Sequence, residues 1–208
     1  MSTLEEYVMA RYFMHKEVYQ HNIKQHMEKC LKLIFKRANE LLVNKIDIFC
    51  DIVLKKLILG QKITVGEYLT TDDGYFMYHI INWSNQEDKI LSYLCKCFLN
   101  RQLFENESDV NQKEVLKKIN ALLEKNNLDK VNYLDDEYFY IKTEKKVALY
   151  ANTKENIWIK SRDNQKLYDL SEKSLLINKQ NASKIFISSN NYISNYLFKL
   201  KFGIDFKL

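Results

Sequence analysis

Apolar residues recur at helical spacing through most of the first 126 positions. Beyond them the pattern changes to shorter runs, aromatic or β-branched, with period-two alternation. The longest helical stretch runs from Thr3 to about Leu42, through Val8, Tyr12, Ile23, Met27, Cys30, Ile34, Ala38 and Leu41, and no Gly or Pro interrupts it before Gly60. Thr3 followed three residues later by Glu6 has the pattern of a capping box, so one long helix is predicted from there. A second helix is predicted over Ile46–Leu59, stopped by Gly60. Thr64 with Glu67 opens a short turn as another capping box. Thr70-Thr71-Asp72-Asp73 supplies an N-cap for a helix to Trp83. Ser84 with Glu87 is predicted to cap a helix from Gln86 to about Leu103, and Ser108 or Asp109 to start one ending near Lys125.

Past Asn126-Asn127 the runs Tyr138–Lys142 and Lys146–Tyr150 flank a charged segment and suggest a hairpin. Asn156–Lys160 reads as a third strand, Ser171–Ile177 as a short helix, Lys184–Ser188 as a strand and Asn190–Lys201 as a closing helix. The expected fold class is therefore mainly α. It is a helical bundle built on one long N-terminal helix (domain 1–126), followed by a small α+β C-terminal unit (domain 127–208).

Composition changes this picture little. Hydrophobic residues make up 46% and charged residues 28% of the 208, ordinary values for a globular chain. Of the net charge of +5, residues 127–208 carry +4, which reads as a solvated lysine-rich surface. Arginine occurs only at 11, 37, 101 and 162, so an arginine inside a polar stripe stands out. The four cysteines (30, 50, 95, 97) read as buried free thiols rather than a disulfide framework. The most apolar run, Ile46–Leu59, is broken by Asp47, Asp51, Lys55 and Lys56, so no membrane span is predicted. The expected compartment is the cytoplasm.

Candidate chemistry concentrates near the N-terminus. Arg11, His15, Tyr19, Asn22 and His26 follow one another by three or four positions. At about 100° per residue they fall within roughly 80° of one another on a continuous helix, combining a phosphate fork, an imidazole and a stacking ring. Gln20 lies about 140° from His15 round the same helix. His15 and His26 would stand about 16 Å apart along the axis, and no His-Glu-x-x-His pattern occurs, so no metal site is expected in this chain. Asp72-Asp73 reads as a cap, and Asp135-Asp136-Glu137 is a further acidic run that could be read as an acid cluster. The four glycines are isolated and form no phosphate loop. Tyr192, Tyr196, Phe198, Phe202 and Phe206, set among lysines, have helical spacing that favours a buried aromatic face over base stacking.

The stretch Ala10–His21 (ARYFMHKEVYQH), with Arg11, His15, Tyr19 and Gln20 at its functional positions, resembles the substrate-facing helix of HD-domain phosphohydrolases of the dNTP triphosphohydrolase group. TVGEYLTTDD (64–73) and NRQLF (100–104) are similar to the same proteins downstream of their catalytic core. The resemblance implies that Arg11 binds substrate phosphate, that His15 lies beside it, that Tyr19 packs on the sugar, and that Gln20 belongs to the same substrate-binding set. It also implies a divalent metal held by a His…His-Asp…Asp set, but none of the four histidines here (15, 21, 26, 79) is followed by Asp. The chain is therefore expected to be the C-terminal, substrate-facing and oligomerisation portion of such an enzyme, inactive alone. It would have no catalytic residue or metal of its own, since the metal would belong to the HD core. The alternative is a catalytically dead interaction or regulatory protein that kept the scaffold. Expected partners are a nucleotide or phosphate ligand and either further copies of the chain or an HD-core segment. Neither nucleic acid nor a membrane is expected.

Overall fold

A computed structural model describes residues 2–135, 137–150, 157–161, 165–177 and 185–206. In chain order the helical half contains α1 (Ser2–Met14), a π-helical turn (His15–Tyr19), α2 (Asn22–Val43), α3 (Ile52–Ile58), α4 (Val65–Leu69), α5 (Asp73–Trp83) and α6 (Lys89–Leu99). There follow β1 (Asn106–Ser108), α7 (Gln112–Lys125), β2 (Tyr140–Ala148), β3 (Trp158–Lys160), β4 (Leu167–Asp169), α8 (Leu170–Lys173), β5 (Ile185–Ile193) and α9 (Asn195–Phe202). The chain is mainly α with a small α+β part, as the patterning predicts. One sheet has the order β1–β5–β2, and β3 pairs antiparallel with β4 in the register Trp158↔Asp169 to Lys160↔Leu167. Among the described residues no helix is long and apolar enough to cross a membrane.

By compactness the chain forms two units, Met1–Lys24 with Thr143–Ser189, and Gln25–Lys142 with Asn190–Leu208. A cut by composition at 126–127 leaves the longer helices before it and most of the strands after it. A cut by compactness runs differently, because each unit draws on both halves of the sequence.

The larger unit is built on one face of α2. Cys30, Ile34, Ala38 and Leu41, three or four residues apart, are all essentially fully buried. They join Ile80 and Trp83 of α5, Leu91, Leu94 and Cys95 of α6, and Val115, Ile119 and Leu123 of α7 in one core. Full burial of an aliphatic side chain stabilises by about 1.5–3 kcal/mol relative to exposure, so this face holds the helices together. The aromatic C-terminal stretch is core as well. The Phe198 ring lies 5.1, 4.7 and 5.2 Å from those of Phe139, Phe202 and Phe206, while Tyr196 stays half exposed, stacked on Tyr93.

Several sequence expectations need correction at element ends. The long helix is interrupted at Gln20-His21, and Thr3 lies inside α1 rather than capping it. Helix α3 starts only at Ile52, because the Asp51 carboxylate accepts the Leu54 N–H at 2.8 Å and caps it. Asp88, not Ser84, caps α6, since its carboxylate accepts the Leu91 N–H at 2.8 Å; Ser84 instead closes α5. A strand, β1, interrupts the supposedly all-helical body, pairing Asn106 with Ile193, and α7 begins only after Asn111. The expected hairpin is a single strand, β2: the charged segment 143–146 stays extended as part of the β1–β5–β2 sheet. The last helix begins at Asn195, capped by Ser194, and ends at Gly203 with φ 75°. The Thr64–Glu67 capping box and the Asp72 cap form as predicted. Asn156 and Asp136 lie outside the described residues.

Two polar groups on α2 are unusual. The Arg37 guanidinium donates to both oxygens of Asp88, at 3.1 and 2.6 Å, and to Glu40 at 3.1 Å, which ties α2 to the cap of α6. Burial pushes the Asp88 carboxyl up, but the Arg37 hydrogen bonds and the Leu91 N–H outweigh it, leaving the group below the ordinary carboxylate range. His26 is fully buried, with no hydrogen-bond partner on either ring nitrogen among the described residues. Its ring stands edge-on to Phe104 and Tyr192 at 5.0 and 4.8 Å, and burial lowers its pKa to about 4.

Asp88→Ala should destabilise the protein by about 2–4 kcal/mol, because it removes a helix cap and leaves Arg37 short of its partner. Asp88→Asn, which still caps, should cost less. Urea melts of the three proteins would check the ranking, and equal midpoints would refute it. Neutral His26 makes the folded state refuse a proton that the unfolded chain accepts below about pH 6.5. Its contribution is therefore complete above that pH and is lost as pH falls toward 4, by roughly 3 kcal/mol in all. The His26→Phe protein should lose that part of the pH dependence between 6.5 and 4. Parallel stability curves for the two proteins would show that His26 is not the group responsible.

Candidate functional site

The smaller unit places α1 against a short strand region. Val8 is buried with Tyr150, Leu170 and Ile177, and Leu4, Leu149, Ile157 and Ile159 pack around them. Leu4, Val8 and His15 share one helical face by spacing, so burying the two aliphatics brings His15 to the same side. The segment that follows is held by hydrogen bonds. The Tyr150 hydroxyl accepts the Ile157 N–H at 2.7 Å and donates to Asp169 at 3.2 Å. Asp169 accepts the Ser171 N–H at 2.9 Å and so caps α8, and Ser174 donates from its hydroxyl to Glu5 of α1 at 2.5 Å.

After Met14 the helix widens into a π-helical turn over His15–Tyr19, closed by Gln20 N–H to His15 C=O at 3.0 Å. Gln20 then leaves helical geometry, with φ −107° and ψ 27°. Its side-chain amide explains why. Nε2 donates to the Lys146 carbonyl at 2.9 Å, and Oε1 accepts the Lys146 N–H at 2.6 Å. One side chain thus pairs with the backbone of β2 as a neighbouring strand would. His21 accepts the Ile23 N–H on Nδ1 at 3.3 Å at the start of α2.

Beneath this junction lies a cavity of about 220 Å³. Val8, Val147, Leu149, Tyr150 and Ile157 give it an apolar lining, while Arg11, Tyr12, His15, Gln20 and Lys146 give it a polar one. Arg11 is exposed and has no ion pair among the described residues. Lys146, also exposed, lies 3.0 Å from Glu144. Such a cavity, with a cationic edge and an apolar interior, suits an anion attached to a less polar body.

Of the predicted site residues, Arg11, His15 and Gln20 line this one cavity. Tyr19 does not line it; its ring lies 5.1 Å from that of His15 and is about half exposed. The predicted stripe does not persist as one face, because the π turn and the break at Gln20-His21 destroy the 100° register on which it was built. Asn22 starts the next helix, and His26 is a core residue of the larger unit. Lys146, Tyr12 and Tyr150 were missed. Lys146 was hidden inside a predicted hairpin edge, and only the pairing of Gln20 with its peptide would have exposed it.

Other candidates resolve into structure. Asp72 caps α5 at Tyr75 N–H, 2.8 Å. Asp135 accepts from Gln112 at 3.0 Å, and Glu137 from Lys201 at 2.5 Å. Burial pushes the Cys30, Cys95 and Cys97 thiols up, the last two to about 12 and 11, so they are unreactive at neutral pH. Among the described residues no three His, Cys, Asp or Glu side chains gather into a group that could hold a metal ion. The donors of an HD-type metal centre are thus not supplied by them.

No family model matches the chain. The uncharacterized protein YwfO of Bacillus subtilis (strain 168) is 32% identical to it over 142 residues, which is 68% of this chain and 32% of that protein. The crystal structure of a phosphohydrolase from Bacteroides thetaiotaomicron superposes on 91% of this chain and 49% of its own, with a TM-score of 0.70 and 21% identity. The chain therefore spans about a third of the curated relative and about half of the solved structure. At that identity the likeness is one of fold, and the fold of this chain is phosphohydrolase-like.

Proposed function

We propose that the chain is the substrate-facing and oligomerisation portion of an HD-type deoxynucleotide phosphohydrolase, with Arg11 as its phosphate contact and His15, Tyr19 and Gln20 in the same functional set. The observation that carries this reading is Arg11. It is a guanidinium without an ion pair among the described residues, on the edge of a cavity it shares with His15, in a fold of phosphohydrolase type. The His15 ring lines the same cavity, and the Tyr19 ring, 5.1 Å from it and tilted against it, is an aromatic group at hand for a sugar. Metal and activated water are not supplied by the described residues, so in this reading they come from an HD core outside the sequence described. A nucleotide or phosphate ligand is then the natural small-molecule partner.

The second reading, an interaction or regulatory protein on the same scaffold, draws on the same lack of metal donors. It also draws on the outer face of the first helical segment, where Tyr7, Phe13, Met14 and Val18 are each about half exposed. A helix apolar on more than one face needs cover. Both readings therefore include association, with further copies of the chain or with an HD-core segment.

Two measurements test these proposals. Tyr7→Ser combined with Met14→Ser should weaken self-association of the purified chain about tenfold or more, read by sedimentation velocity. A wild-type chain that stays monomeric at tens of micromolar would remove the oligomerisation part of the proposal. By titration calorimetry with a deoxynucleoside triphosphate, Arg11→Ala should weaken binding by about 1.5–3 kcal/mol. Arg11→Lys should recover only part of that loss, for lack of the planar fork, and Tyr19→Phe should matter less. Unchanged affinity in a well-folded Arg11→Ala protein would reduce the site to scaffold and put the regulatory reading ahead.

A further inference from the structure

We infer that Lys146 is a second anion contact of the α1 cavity, and that Gln20 is its positioning residue rather than a ligand contact. The inference rests on the reading of Arg11 as a phosphate contact and adds to it. Both polar ends of the Gln20 amide are engaged with the backbone of a single residue, at 2.9 Å to the Lys146 carbonyl and 2.6 Å from the Lys146 N–H. Turning that amide toward a ligand would break both bonds and take this partner from the Lys146 N–H and C=O. Held in place, the amide fixes the backbone from which the Lys146 side chain springs.

Lys146 is the one lining residue besides Arg11 that carries a permanent positive charge among the described residues. Its ammonium is 3.0 Å from Glu144, two positions away on the same strand, and the two side chains are 59% and 38% exposed. An exposed pair of this kind contributes little, so an arriving phosphate can replace Glu144 as the partner of the ammonium. Two cationic residues lining one cavity favour a ligand with more than one negative charge. At about 220 Å³ the cavity is smaller than those that enclose a drug-sized ligand, so it takes the charged end of a molecule rather than the whole of one. The ligand class is a condensed phosphate, free or as the end of a nucleotide. Glu144 acts as a competitor that discourages weaker anions.

The test is titration of the full chain with inorganic tripolyphosphate at low salt, with circular dichroism to confirm folding of each variant. Lys146→Ala should weaken binding about three- to tenfold, and Lys146→Arg should preserve most of it. Glu144→Gln should strengthen binding by about two- to threefold. Gln20→Ala should weaken binding as Lys146→Ala does, but should have no added effect in the Lys146→Ala background, where the clamp has no ammonium left to place. Gln20→Glu keeps the acceptor and loses the donor, and should fall between wild type and Gln20→Ala. Additive losses from Gln20→Ala and Lys146→Ala would make Gln20 an independent contact and overturn its assignment. A loss on Arg11→Ala with none on Lys146→Ala would overturn this inference alone. No binding of tripolyphosphate by the wild-type chain would overturn the phosphate reading of Arg11, and this inference with it.

Discussion

The Gln20 amide pairs with the N–H and C=O of Lys146 through two hydrogen bonds, in competition with the helix, and the local architecture of the smaller unit follows from that competition. Continuing the helix through Gln20 would offer the backbone its ordinary i to i−4 bonds. Each intramolecular hydrogen bond is worth only about 0.5–1.5 kcal/mol net, so a helix can give up a register when another partner satisfies the same groups. The π turn over His15–Tyr19 accommodates the change without leaving the helix outright. Arg11, His15 and the Lys146 segment then share one cavity.

The larger unit rests on a different principle. Its α2 face is apolar and fully buried, and non-directional burial does most of the stabilising there. Direction comes from the few polar groups set into it. Arg37 on Asp88 fixes which end of α6 meets α2, and the Asp88 carboxylate also serves as the cap of α6. The His26 ring finds no hydrogen-bond partner among the described residues and packs as an aromatic between Phe104 and Tyr192. A histidine that an idealised helix would place on a chemical stripe is thereby a neutral core residue.

The cavity gathers Arg11, His15 and Lys146 with a group of apolar side chains. The solved phosphohydrolase with the same fold is about twice the length of this chain, as the coverage of 49% shows. At 21% identity that likeness is one of fold alone. The metal chemistry that the HD resemblance implies needs donors that the described residues do not assemble.

The sequence by itself determined the helical character of the chain, the buried face of α2, and those caps in which a side chain bonds a backbone two or three residues away, such as Thr64 with Glu67 and Asp72 with Tyr75. These are local effects, and residue spacing encodes them directly. It also singled out Arg11 and His15, because four positions on a helix remain neighbours up to the point where the helix changes. The interruption at Gln20, the straight course of β2, the strand at Asn106–Ser108 and the role of Lys146 were decided by partners far along the chain. Gln20 meets a residue 126 positions away, and β1 meets β5 across more than 80. A side-chain amide or an unpaired strand edge has no preferred partner until the tertiary fold brings one within 3 Å, so no local pattern could have announced them.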